Sequence, residues 1–511
     1  MKTNSTSLYH LIRQLSPSEK RYFQLFSQRH SAGAKTEQVT LFQEINKNQL
    51  QSDQELNYHN NKTPLSVAKI QLFHYILDCL HQFHTVNSSL EMLKIDEHKV
   101  KILSEKGLNK EASKLLKKTM QKAEEKEHFS LYLSLHQVEN QIISKNYYQD
   151  SALEGLEKRN AKFQSCLSKL QNLEDYNHLF SKIYKFHFQK IKAKSKEDLQ
   201  QLRHWFQDEL LSHEGRALSK SAQIIFFQLK ALESFLENNT LEASRYNLKI
   251  LETIEQNELI EEGYAQKYLA ILNNYLIDCL QLRKLEAFEQ GLKKLKALSK
   301  LQVYKSLQDT EAQIFRSANQ LELNYLLNQA KFAEIIELED SILQGLKKYK
   351  NKLALHSEIS FHYLLMYAHF ARNNFEKCLD YTEILINQRN EKAAESLIVS
   401  ASLVGILAHY ELGNEQLLSY SINNLRKFQK RRKLLFPLEA LILSAIASLI
   451  KLPKSERKER YRQFKEDLLL LQGEENEKTM LRNFDYLAWV DSKLHQLSFT
   501  EAYQKNRQDT L

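Results

Sequence analysis

Residues 370–385 read FARNNFEKCLDYTEIL. The stretch predicts the end of one helix, a polar turn at Arg372-Asn373-Asn374, and a second helix with Phe375, Cys378, Leu379 and Leu385 on its apolar face. The same pattern occurs at Leu326-x3-Ala330-x-Phe332-x2-Ile335 with Ile342, and at Leu412-Gly413-Asn414-x3-Leu418 with Leu425. A fourth copy is Leu103-x3-Gly107-x4-Ala112 with Leu116 and Met120. Each places a small or polar turn residue five positions before a small or apolar one. The first lets the chain reverse, and the second lets the new helix approach the old. Weaker copies surround Ala243 (LENNTLEA from Leu236) and Ala287 (LRKLEA from Leu282), and weaker ones still lie near Ala152 and Leu199.

Composition agrees with a chain of helical hairpins. There are 10 glycines and 4 prolines in 511 residues, where average usage gives about 35 and 25. Turn-rich sheet folds need those residues; helices avoid them. The expectation is all-α, and the length calls for several domains or an extended array. Cys79, Cys166, Cys279 and Cys378 lie far apart with no C-x-x-C pair, which fits a reduced compartment rather than a disulfide framework. Met1 to Lys20 has no uninterrupted apolar run, so no secretory signal is expected. The most apolar stretch, residues 434–452 (LLFPLEALILSAIASLIKL), contains Pro437 and Glu439. It is shorter than the roughly 20 apolar residues of a span, and reads as a buried helix.

Three regions follow. Residues 1–86 predict an N-terminal bundle of four or five helices. Ser16-Pro17-Ser18-Glu19 is a capping box with proline at the first helical position, opening a helix with Tyr22, Phe23, Leu25 and Phe26. A second holds Leu41, Phe42 and Ile45. Thr63-Pro64 starts a long one through Ile70, Phe73, Ile76, Leu77, Leu80 and Phe83. Residues 87–420 carry the hairpin repeats, and residues 421–511 form a basic helical cap that closes the array.

The Gly-to-Ala spacing of five in the hairpin units resembles the tetratricopeptide repeat. That resemblance implies a right-handed α-α superhelix, or solenoid, between the bundle and the cap. The unit spacing, roughly 40 to 48 residues against about 34 for the standard repeat, implies longer helices or loops. The opening Leu15-Ser16-Pro17-Ser18-Glu19-Lys20-Arg21-Tyr22-Phe23 is similar to that of a group of uncharacterised bacterial helical-repeat proteins, which implies a cytoplasmic bacterial protein and says nothing of its activity.

Several chemistries are excluded. No two glycines lie closer than Gly405 and Gly413, so neither a Walker-type loop nor a dinucleotide fingerprint can be written. G-x-S-x-G and H-E-x-x-H are absent. His74, Asp78 and His81 share one helical face at i, i+4 and i, i+3 spacing, with His84 beyond. They could begin a metal site if another helix supplied ligands; the plainer reading is a solvated histidine face. No cofactor is expected.

Two sets of residues suggest binding. The formal charge is +9, and residues 421–465 carry 13 Lys and Arg against three Glu. Arg426, Lys430, Arg431, Arg432, Arg457, Lys458 and Arg460 head that group, which favours an acidic protein or nucleic-acid phosphates, or simply keeps a cap solvated. Asn140, Asn273, Asn274 and Asn324 fall on first helices of hairpins, where side-chain amides can hold a peptide backbone. The expected function is a non-enzymatic scaffold for a protein or peptide partner. The alternatives are a nucleic-acid-associated regulator using the basic cap or the N-terminal bundle, and a metal-dependent enzyme at His74. Oligomeric state is not encoded.

Overall fold

The computed structural model describes residues 7–30, 37–48, 56, 63–85, 88–145, 153–189, 196–388, 394–432, 437–471 and 478–508. The described residues form 26 α-helices with short 3-10 turns and no strand. The chain divides into two compact units. The first is Met1–Leu282 with Gln302–Gln308; the second is Arg283–Leu301 with Asp309–Leu511.

The first unit opens with α1 (Ser7–Gln14), α2 (Pro17–His30), α3 (Glu37–Asn48) and α4 (Leu65–Thr85). The capping box at Ser16 is formed: the Ser16 N–H donates to Glu19 Oε2 at 2.7 Å, and the Glu19 N–H donates to Ser16 Oγ at 3.3 Å. The four helices enclose their own core, with Phe23 at 4.4 Å ring distance from Phe42. The apolar face of α4 is rotated from the one expected. Ala68, Leu72, Ile76 and Cys79 are buried, while Ile70 and Leu77 are about 40% exposed. The reason is local: Leu72 and Cys79 extend the Ile76 stripe along the inner side.

Next come α5 (Ser89–Glu105), α6 (Asn109–Glu125), α7 (Phe129–Lys145), α8 (Leu153–Gln189), α9 (Lys196–Phe206), α10 (Lys220–Leu236), α11 (Thr240–Gln256) and α12 (Ala265–Gln281). Sequential helices pack as antiparallel neighbours, α5 on α6 and α10 on α11 most extensively. Helix α8 runs 37 residues without a break, about 55 Å. The repeat near Leu199 falls in α9, which leads into 3-10 turns and not a second long helix. Ala152 lies outside the described residues.

The second unit begins with α13 (Leu285–Ala297); α14 (Gln302–Ser306) belongs to the first unit. Then follow α15 (Thr310–Asn328), α16 (Phe332–Glu337), α17 (Glu339–Lys348), α18 (Leu355–Ala371), α19 (Phe375–Ile386), α20 (Glu395–Glu411) and α21 (Glu415–Arg432). Beyond them lie α22 (Pro437–Lys451), α23 (Arg457–Leu471), α24 (Lys478–Asn483), α25 (Tyr486–His495) and α26 (Phe499–Gln508). Helices α18 and α20 are apolar nearly all round and sit inside the unit. Helix α22, the apolar stretch, buries Leu438, Ile442, Leu443, Ile446 and Leu449. Among the described residues no helix is long and apolar enough to cross a membrane. All four cysteines are buried and unbridged.

One turn geometry recurs. A left-handed residue with φ between 57° and 78° stands two positions past the helix end at Gly107, Glu127, Asn238, Arg283, Ala330, Asn373 and Gly413. At six of these the following N–H reaches back five residues to a helix carbonyl at 2.8–3.0 Å, as from Asn374 to His369. This closes the helix end in a Schellman turn. Five residues beyond each left-handed position stand Ala112, Tyr132, Ala243, Phe288, Ile335, Cys378 and Leu418, all buried. The spacing of five is therefore the distance from the reversal to the first inward position of the next helix. In the weak copy at Arg283 that position is Phe288, one residue beyond the Ala287 suggested by the sequence. From Asn238 the turns repeat at Arg283, Ala330, Asn373 and Gly413, inside the expected spacing of 40 to 48 residues.

Candidate functional site

A cleft lies in the first unit, among the C-terminal part of α8 and helices α10, α11 and α12. Helix α10 is fixed from two directions. Ser219 caps it locally, its Oγ accepting from the Ala222 N–H at 3.1 Å. Glu127, from the α6–α7 turn, caps it from a distance: the Lys220 and Ser221 N–H groups donate to its two carboxylate oxygens at 2.7 and 2.9 Å, and Ser221 Oγ adds a bond of 2.8 Å. A carboxylate at a helix N-terminus satisfies orphan donors and complements the helix dipole. Helix α11 starts under the Asn239 cap, whose Oδ1 accepts from the Glu242 N–H at 3.2 Å. Buried Ala243 then brings α11 close to α10.

The cleft holds about 420 Å³, within the range of ligand-sized sites. Its long wall on α12 runs from Ile271 to Gln281, about 15 Å at 1.5 Å per residue. Leu232, Phe235, Ile271 and Ile277 give it an apolar floor and rim; Phe235 is 64% exposed and Ile277 40%. Polarity comes mainly from amides: Gln228, Asn238, Asn247, Asn274 and Gln281 all line it. Asn247 Nδ2 donates to Asp278 Oδ2 at 2.8 Å and so orients that carboxylate. Gln228 is 8% exposed, and its Oε1 has no hydrogen-bond partner. A buried acceptor left unmet costs about 1–3 kcal/mol. An N–H donor entering the cleft would remove that cost. Among the described residues that line it none is Lys or Arg, and Asp278 is the one carboxylate.

The four asparagines suggested by the sequence separate. Asn274 lines the cleft, and Asn273 is half-buried one position round α12. Asn140 is exposed on α7, 3.3 Å from His136 Nδ1. Asn324 is exposed in the second unit and donates to the Gln320 carbonyl of its own helix at 2.7 Å. Gln228, Asn247 and Asp278 were missed. Gln228 did leave a signal, as a single polar residue inside the apolar run IIFFQL at 224–229.

The basic segment is partly used within the fold. Arg457 Nε donates to the Leu452 carbonyl at 3.0 Å, and Arg460 Nε to Ser448 Oγ at 2.8 Å. Lys465 pairs with Asp491 at 2.7 Å and Arg462 with Glu459 at 3.0 Å. Arg426 and Lys458 are exposed. Lys430, Arg431 and Arg432 lie on the last turn of α21 with side chains outside the described residues, and Lys433 lies wholly outside them. His74, Asp78 and His81 are exposed on α4, and His84 bonds Glu19 Oε1 at 2.7 Å. Among the described residues no three His, Cys, Asp or Glu side chains converge as a metal site would require.

Comparison with protein-family models, curated proteins and solved structures finds no match to this chain.

Proposed function

We propose that this chain is a non-enzymatic binding protein whose cleft between α10 and α12 takes a segment of a partner protein. The observation that carries the reading is Gln228: a buried acceptor without a partner, inside a cleft otherwise supplied with amides. Amides offer donors and acceptors together and serve a peptide backbone better than they serve bond-making chemistry. The recurring turn supports a solenoid of tetratricopeptide type, in which stacked hairpins present an extended surface. With the resemblance at residues 15–23, the setting we infer is the bacterial cytoplasm.

Affinity capture from the native cell tests this. The full chain is compared with a Phe235→Ala/Asn274→Ala double variant and with Asn324→Ala. The expected result is a partner held by the wild type and Asn324→Ala, and lost from the double variant. A partner retained by the double variant contradicts the reading.

A further inference from the structure

Helix α4 turns apolar side chains outward as well as inward. At about 100° per residue, Val67, Ile70, His74, Leu77 and His81 fall within an arc of about 80°. That arc lies opposite the stripe of Leu72, Ile76 and Cys79, which enters the bundle core. All five outward residues are exposed. Their spacing is 3-4-3-4, the a/d pattern of a helix that packs along its length against another helix. Among the exposed residues of α4, Asp78 alone is formally charged. The next helix, α5, exposes Lys94, Lys99, Lys101 and Glu105, the ordinary composition of a solvated face.

Charge decides how a second such helix would lie on this stripe. Two parallel copies in register would set Asp78 beside Asp78 and His74 beside His74. Two antiparallel copies, with the twofold axis level with residue 76, set His74 of each level with Asp78 of the other. The same register lays Leu77 against Leu77 across the axis and Ile70 beside His81. The stripe is thus complementary to itself when reversed, and the chain supplies both members of each His–Asp pair.

We propose that α4 is the seam of a homodimer, in which a second copy of this chain packs antiparallel on the stripe from Val67 to His81. The 21 residues of α4 give a seam about 30 Å long. At one helix width it buries about 800 Å² in total, which belongs to the small, transient class of interface. The dissociation constant expected is therefore about 10–100 μM. The seam shares no residue with the cleft between α10 and α12, so either reading can fail alone.

Sedimentation velocity of the full chain tests the dimer. The wild type is expected to pass from monomer to dimer between about 1 and 300 μM. Leu77→Lys brings two ammonium groups together at the axis and should abolish the dimer. His74→Glu sets carboxylates beside Asp78 and should weaken it about tenfold, whereas His74→Lys, which keeps the attraction, should hold it within about threefold. Leu77→Cys tests the register with the seam left in place. All four native cysteines are buried, so mild oxidation reports the introduced thiol. A disulfide dimer should form about tenfold faster from Leu77→Cys than from Met92→Cys, an exposed position on α5. A wild type that stays monomeric across the range overturns the proposal. So does a dimer indifferent to Leu77→Lys, or equal cross-linking of the two cysteine variants. Photo-cross-linking at residue 77 in the native cell that yields another protein and no self-adduct would give the seam to that protein and overturn it too.

Discussion

The first-helix faces of α10 and α18 share a register and differ in fate. On α18 the sequence places Tyr363, Tyr367 and Phe370, and the chain's own α24–α26 cover them. On α10 it places Gln228, Leu232 and Phe235, and the face stays a cleft. Aromatic rings bury large areas and stabilise docking by packing alone. A glutamine and an asparagine pair in the same layer raise the cost of a dry cover unless the cover brings hydrogen bonds. One backbone pattern can thus be closed in cis or kept open, and a few side chains decide which.

Three substitutions and titrations would break or sharpen the contrast. The largest effect is expected at Trp489, which is 1% exposed and donates to Glu411. Trp489→Ala should cost about 3–5 kcal/mol, through the cavity and the acceptor left behind. Urea unfolding would measure it, and added exposure of α18 and α20 in hydrogen exchange would locate it. A loss below about 1 kcal/mol would mean that the cover is not held by this anchor.

An intermediate effect is expected in the first unit at Glu127. Glu127→Ala removes three hydrogen bonds to the start of α10 and should cost about 2–3 kcal/mol. Glu127→Gln, which keeps acceptor capacity without charge, should cost less. The measurement is again the urea midpoint. Equal losses in the two variants would assign the effect to the turn rather than to the cap.

The smallest effect is a pH dependence to which two buried histidines of the second unit contribute. Burial lowers the pKa of His362 and of His409 below the ordinary 6.5, and the Nδ1 atoms of both are buried without partners. Folding therefore favours the neutral rings. Their contribution is fully present above pH 6.5 and is lost as pH falls from there through the lowered folded values. Urea midpoints between pH 7.5 and 5 should decline, and His362→Gln with His409→Gln should flatten the decline. An unchanged slope in the double variant would place the acid sensitivity elsewhere.

Much of the helical framework was legible because the turn grammar is local. Ala112, Ala243, Ile335, Cys378 and Leu418 were readable as inward positions from the spacing of five alone. Glu127 with Tyr132 was not, because glutamate carries no turn signal, although Glu127 stands at the same left-handed helix-end turn as the others. The register at Arg283 was misread by one residue, since Ala287 imitates the small position that Phe288 occupies. The cleft was legible only at Asn274. Gln228, Asn247 and Asp278 come from three helices, and only packing brings them together. In the basic segment composition counts charges alone, and packing adds that Arg457 and Arg460 also bond Leu452 and Ser448 within the fold.

The most direct measurement is photo-cross-linking in the native cell, with p-benzoylphenylalanine placed at Ile277 in the cleft or at Lys458 in the basic segment of the full chain. The account predicts a discrete protein adduct from Ile277 and none from Lys458. An adduct from Lys458 with none from Ile277 would contradict it.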